Sequence, residues 1–97
     1  MKHNIRQVGI GPNNEMVMGG VFDFYATAGV PLADLFISLK KNRCILGIPE
    51  FVKEATAGGW SMDTIRARLI DAFRDSYGNE YASVIEKRFD NEMAHLL

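Results

Sequence analysis

Glycine and proline divide this chain into short segments, and that division constrains the fold more than any other feature. The interruptions are Gly19-Gly20, Gly29-Val30-Pro31, Gly47-Ile48-Pro49, Gly58-Gly59 and Gly78. After each of them, apolar residues recur at the three- and four-residue spacing of an amphipathic helix. Because glycine is unfavourable inside a helix and proline is tolerated in its first turn, the pattern predicts a series of short helices.

Five helices are predicted, and the residues at their ends support each one. In chain order, the helices begin after Gly20, at Pro31, near Pro49, after Ser61 and after Asn79. They end at Gly29, near Arg43, at Gly58, at Gly78 and close to the last residue. Serine and asparagine favour helix starts because their side chains accept hydrogen bonds from free N–H groups. We therefore expect an all-α fold, a small bundle of about five short helices forming one domain over residues 1–97.

The N-terminal residues follow a different pattern. Two short runs that favour strands flank Gly11-Pro12-Asn13-Asn14, where proline fixes φ and asparagine tolerates turn conformations. The alternation of apolar and polar residues is weak, and Gly9 interrupts it. We expect residues 1–18 to form either a β-hairpin or an extended arm in front of a helical core at 19–97.

The composition argues against a disordered chain, a secreted disulfide-bonded domain and a membrane-spanning protein. An apolar content of 47% and a charged content of 24% are ordinary for a folded domain. With a net charge of -1, the chain has no broad positive field toward phosphate or anionic lipid. Cys44 is the only cysteine, and neither a secretory signal nor an apolar run of about 20 residues is visible. We expect a cytoplasmic protein with no membrane association.

Residues that could perform catalysis are few and scattered. His3 and His95 are the only histidines and lie near opposite termini, so the sequence assembles no nucleophilic triad. We interpret Cys44 as a small buried thiol rather than a nucleophile. Glu92 and His95 have the i, i+3 spacing of di-iron bundles, but one such pair cannot build that site. Since the glycines around Ile10 also lack the lysine of a phosphate loop, we expect no enzymatic activity, metal or cofactor.

A helix, a glycine turn and a capped helix follow one another over residues 51–69. Ala55 is a small residue that permits close helix contact, Gly59 follows four positions later, and Ser61 caps the next helix. The segment resembles the helix-turn-helix of DNA-binding regulators, and this resemblance implies DNA as a partner. Its inward residues would be Ile65 and Leu69.

The same segment departs from that pattern at several positions. Glu54 and Gly58 stand where apolar core residues are usual, and Arg68 occupies another usually inward position. Asp71 and Asp75 share the outward face of the fourth helix with Arg68, and their carboxylates would repel phosphate. The cations that could contact phosphate or guanine are Arg66, Arg68 and Arg74. The alternative interpretation is an ordinary turn between two helices.

Seven residues are candidates for contact with a partner. They are Trp60, Arg66, Arg68, Arg74, Lys40, Lys41 and Arg43. Trp60 is either an interface anchor or a side chain packed against the fourth helix. Arg66 falls inside an apolar arc, so it either contacts a partner or reaches past the core edge to a carboxylate. The cluster of Lys40, Lys41 and Arg43 fits an acidic or phosphate-bearing partner, although the helix dipole also explains it.

The scarcity of catalytic groups favours a binding role. We expect a helical protein-protein interaction module, an adaptor or modulator of a macromolecular partner, with a DNA-binding regulator as the alternative. The apolar arc of the last helix is wide, so surplus apolar surface on the first or last helix could also join two copies. Residues 47–69 are also similar to helical appendages of phage-encoded head-maturation proteases, which implies a phage or mobile-element origin.

Overall fold

A computed structural model describes residues 5–96, apart from the side chains of His95 and Leu96. In chain order its elements are β1 (Arg6–Ile10), β2 (Met16–Gly19), α1 (Val21–Ala28), α2 (Leu32–Lys41), β3 (Cys44–Leu46), α3 (Ile48–Ala57), α4 (Met62–Tyr77) and α5 (Asn79–Leu96). These helices confirm a mostly helical fold, but a small three-stranded sheet means that it is not purely all-α. Within this described part, no helix has the length and apolar character needed to cross a bilayer.

Of the predicted hairpin or arm, residues 1–4 lie outside the described part, and the remainder forms a hairpin rather than an extended arm. β1 and β2 pair in antiparallel fashion, and Gly11 closes the turn by donating its N–H to the carbonyl of Glu15 at 2.8 Å. Asn14 supplies the left-handed conformation, with φ of 65°, that asparagine tolerates better than most residues. A bulge between Gln7 and Gly9 interrupts the outer strand. Because a bulge distorts an edge, it discourages the addition of a further strand to β1.

β3 is the element that the sequence did not predict. Its three residues pair in parallel with β2. Arg43, with φ of 58°, redirects the chain from α2 into this strand. Cys44, which we expected near the end of the second helix, therefore lies in β3, and it is buried. Three residues are too few to show the two-residue period of a strand, and their pairing depends on a distant part of the chain.

The core joins the five helices to the inner side of the sheet. The buried residues that form it are Val21, Phe22, Leu32, Phe36, Leu46, Ile48, Phe51, Val52, Ala55, Ile65, Leu69, Ala72, Phe73, Ile85, Phe89 and Met93. No buried side chain among the described residues is polar or charged. On α5, the exposed apolar side chain is Val84, whereas Ala82 and Ile85 are buried. Much of the wide arc of the last helix is thus used within the fold, although Val84 is 56% exposed, and α1 exposes no large apolar side chain.

Candidate interaction surface

Apolar side chains that the core leaves exposed gather at the N-terminal hairpin. The large hydrophobic residues exposed within the described chain are Val8, Ile10, Met16, Ile37, Met62 and Val84. The hairpin carries the first three, and Ile10 is the most exposed of all, at 68%. Clustered apolar exposure indicates a contact surface more strongly than single exposed residues do.

Ile10 and Met16 lie opposite each other in the hairpin. They are directly paired residues of β1 and β2, and Met16 also pairs with Cys44 of β3. Because paired residues project from the same face of a sheet, the three side chains form one row. Cys44 is buried at one end, Met16 is 40% exposed, and Ile10 reaches solvent. The row therefore leads from the core to the surface.

One member of the predicted basic cluster, Arg43, lies beside this row. The carbonyl of Arg43 accepts a hydrogen bond from the N–H of Met16 at 3.3 Å. Lys40 lies over the ring of Tyr77, with Nζ 4.7 Å from the ring centre. Lys41 is exposed, and none of the three cations forms an ion pair within residues 5–96. We name this region the hairpin surface, and it consists of Ile10, Met16, Lys40, Lys41, Arg43 and Tyr77.

Tyr77 adds a phenol to the hairpin surface. Its ring stacks on that of Tyr81 across the turn between α4 and α5, with centres 4.4 Å apart. Burial is the main reason why the pKa of Tyr77 rises to about 12, and burial also raises the pKa of Tyr81. Both phenols therefore stay protonated at neutral pH. Neither hydroxyl is hydrogen-bonded within the described residues, so both can donate to a partner.

Substitution of Arg43 tests the backbone at this surface. At a φ of 58°, any residue other than glycine is strained by about 1–2 kcal/mol. Glycine avoids this strain but loses more backbone entropy on folding, which reduces its advantage. Arg43→Gly should therefore be more stable than Arg43→Ala by about 1 kcal/mol in urea unfolding. At Lys41, in the last turn of α2, the order should reverse, with alanine better than glycine. Equal stabilities at position 43 would contradict the left-handed backbone.

Trp60 and Arg68 lie together, away from the hairpin surface. The indole packs edge-on against Phe22 and Tyr25 of α1, with ring centres 5.0 Å and 5.9 Å away. The guanidinium of Arg68 lies 5.2 Å from the indole centre. Trp60 is therefore a half-buried packing residue, but it packs mainly on α1 rather than on the fourth helix as expected. Arg68 is exposed rather than inward.

Arg66 and Arg74 are engaged with carboxylates of the chain itself. Arg66 donates to Glu86 at 2.7 Å and to both oxygens of Asp90 at 3.0 and 3.1 Å, which connects α4 to α5. Arg74 donates to Asp71, one turn earlier on α4, at 2.8 Å. Of the two interpretations of Arg66, the structure supports an arginine that reaches past the core edge to a carboxylate.

The Arg66 pair should make stability depend on pH. The hydrogen bond from Arg66 is the main cause that lowers the pKa of Asp90. The pKa of Asp90 is therefore lower in the folded protein than in the unfolded chain, where it is about 4. The ion pair stabilises the fold above the unfolded pKa, and this stabilisation is lost as the pH falls through the folded pKa. The difference in melting temperature between wild type and Arg66→Met should therefore shrink on acidification. Lys87→Met, at an exposed lysine with no ion pair within residues 5–96, should show no such trend, and a constant difference for Arg66→Met would contradict the pair.

At the turn between α3 and α4, several residues of the helix-turn-helix pattern have the local structure expected of them. Ala55 is fully buried, Gly59 has φ of 95° in the turn, and the side chain of Ser61 caps α4. The inward residues Ile65 and Leu69 are also buried. Glu54 departs from the pattern for a local reason, because its Oε2 accepts a hydrogen bond from the N–H of Gly20 at 3.0 Å, at the start of α1.

A groove of about 590 Å³ lies beside α3. Its charged lining residues are Arg6, Asp23, Glu50, Lys53 and Glu54. The Oε1 atom of Glu54 is buried without a hydrogen-bond partner among the described residues. Since cations and carboxylates line the groove together, its charge favours no single class of ligand.

Metal-ligating side chains do not cluster in the described residues. No three side chains of histidine, cysteine, aspartate or glutamate are placed there as metal ligands. Cys44 is buried, and its thiol donates to the carbonyl of Asn42 at 3.4 Å. Glu92 Oε2 lies 3.5 Å from Arg88 Nε, while its suggested partner His95, like His3, has a side chain outside the described part.

The structure brings together only some of the predicted contact residues. Lys40, Lys41 and Arg43 are exposed and lie close together along the chain, whereas Arg66 and Arg74 are paired within the chain. Sequence reasoning missed the paired position of Ile10 and Met16, although both flank the predicted turn. Comparison of the chain with protein-family models, with curated proteins and with solved structures found no match, so its function has to be inferred from its own geometry.

Proposed function

We propose that this protein is a protein-protein interaction module, an adaptor or modulator that binds its partner through the hairpin surface. The exposed pair Ile10 and Met16 carries the proposal, because an isolated domain gains nothing by keeping such side chains in water. Catalysis, cofactors and membranes have no part in it, and a cytoplasmic location remains a prediction. A phage or mobile-element origin rests on the resemblance of residues 47–69 alone.

The composition of the hairpin surface supports a protein partner. Methionine, tyrosine and arginine are enriched in protein interfaces, and here Met16 is paired with the exposed Ile10. A second copy of the chain is a less suitable occupant. In a two-fold dimer through this surface, Lys40, Lys41 and Arg43 of both copies would approach one another, and like charges across an interface are unfavourable.

Polar substitutions in the hairpin test this proposal. The double variant Ile10→Ser with Met16→Gln should keep the circular dichroism spectrum of the wild type but lose its nuclease-resistant partners in affinity capture from native lysate. Val84→Ser is the matched control, since it removes an apolar side chain that is 56% exposed on α5. Direct binding of the recovered partner to purified protein completes the test. Identical capture by the double variant and Val84→Ser would contradict the proposal.

DNA binding through α4 is the second candidate function. The buried Ala55, the turn at Gly59 and the cap at Ser61 favour it, since these three residues match the small residue, the turn glycine and the cap of the helix-turn-helix pattern. The charges of the outward face oppose it, because Asp71 and Asp75 are exposed there.

This second candidate predicts duplex binding that weakens steeply with salt. Arg68→Ala should lower the affinity several-fold, because Arg68 is an exposed cation of α4 without a carboxylate partner in the described residues. Lys53→Ala, on α3, is the control and should have little effect. Absence of duplex binding at low salt, measured by fluorescence anisotropy, would eliminate a role in DNA recognition.

A further inference from the structure

The positive charge of the hairpin surface has no counter-charge in the described residues. Lys40, Lys41 and Arg43 form no ion pair there, although the chain as a whole has a net charge of -1. Elsewhere, arginines do find carboxylates, as in the pairs of Arg66 with Glu86 and Arg74 with Asp71. Among residues 5–96, the basic cluster is thus without a paired carboxylate, although the whole chain is slightly acidic.

The acidic residue beside this patch does not neutralise it. Glu15 precedes Met16, and its carboxylate accepts a hydrogen bond from the N–H of Asn13 at 2.9 Å. Its own backbone N–H contributes most to the lowered pKa of Glu15, and the cation that contributes is Arg88 of α5 rather than a member of the cluster. Glu15 is therefore satisfied within the hairpin turn, and the three cations remain open to an external anion.

Two features of the hairpin surface favour an acidic protein segment over nucleic acid as its ligand. Ile10 and Met16 offer apolar contact area, which phosphate cannot use but leucine or phenylalanine can. Nucleic acid would instead need free aromatic faces for stacking of bases. The ring of Tyr77 is already in contact with Tyr81 and with Lys40.

We propose that the hairpin surface binds an acidic segment of a partner protein. Its carboxylates meet Lys41 and Arg43, and its apolar side chains cover Ile10 and Met16. This inference rests on the proposed interaction function and adds the chemistry of the partner. Complementary charge of this kind speeds association and selects among partners, so binding should weaken with salt.

Selection of random peptides displayed on phage tests the inference while the natural partner is still unidentified. The full chain is the immobilised target, and selection is performed at low salt. We expect the enriched peptides to combine aspartate or glutamate with large apolar residues. In the double variant Lys41→Gln with Arg43→Gln, the affinity of a selected synthetic peptide should fall about tenfold or more. The matched control is Lys53→Gln with Lys87→Gln, which removes the same charge from α3 and α5.

The outcomes separate this inference from the proposed function. If the enriched peptides lack acidic residues but still require Ile10 for binding, the proposal of an acidic partner segment is wrong, whereas the proposal of a protein-protein interaction module still stands. Equal loss of affinity in both double variants would overturn the role of the cluster. Failure to enrich any peptide that requires the hairpin, or competition by single-stranded oligonucleotides for the same surface, would also overturn the inference.

Discussion

Phe36→Ala is expected to lower the free energy of unfolding by about 3–5 kcal/mol. Phe36 is fully buried, and its ring stacks on Phe73 with centres 4.3 Å apart and an angle of 24°. The contact joins α2 to α4, so the truncation removes apolar area and leaves a cavity between two helices. A domain of this size has a total stability of about 5–15 kcal/mol, and the variant should therefore be close to unfolding.

Urea unfolding of Phe36→Ala and Ile37→Ala provides the comparison. Ile37 is the next residue of α2 and is 37% exposed, so its truncation should cost less than about 1 kcal/mol. The two variants remove side chains of similar apolarity at adjacent positions. Similar losses of stability in both would contradict the orientation of α2 and, with it, the position of the core.

Trp60→Ala is expected to lower the free energy of unfolding by about 2 kcal/mol, because the indole packs on aromatic rings of α1. A full cavity cost does not apply, since Trp60 is half-buried. Trp60→Phe should recover part of the loss by restoring contact with Phe22 and Tyr25. If Trp60 were solely a contact residue for a partner, its truncation would leave the stability of the free protein unchanged.

Arg68→Ala is the control for Trp60→Ala. The guanidinium contacts the same indole from the exposed side of α4, and such a cation-π contact contributes about 0.5–1 kcal/mol at exposed sites. The loss in Arg68→Ala should therefore be smaller than in Trp60→Ala. Chemical denaturation of both variants, followed by circular dichroism, measures the two effects.

The helices could be predicted because each has a strong local signal. Gly29 and Gly78 adopt positive φ at the ends of α1 and α4, and the side chain of Ser61 accepts the N–H of Thr64 at 3.2 Å. These features depend only on neighbouring residues, which is why the sequence alone reveals them. The turn residues Gly11 to Asn14 were visible for the same reason, but they did not distinguish a hairpin from an extended arm.

The remaining features depend on contacts between distant residues. The pairing of Met16 with Cys44 defines β3, and no local pattern indicates it. The packing contacts of Trp60 could not be predicted either, because the sequence does not show that α1 packs next to the turn between α3 and α4. For the hairpin surface, the basic cluster was visible in the sequence, but the position of Arg43 beside Met16 follows from the same β2-β3 pairing.

The parallel pairing of β3 with β2 has a consequence for shortened forms of the protein. Cleavage in front of Gly20 would remove the strand that supplies backbone hydrogen bonds to Cys44, Ile45 and Leu46. Leu46 and Cys44, both buried in the intact chain, would then lie on an open strand edge. Such an edge invites pairing between molecules, so a proteolytic product that lacks the hairpin should self-associate even though all five helices are retained.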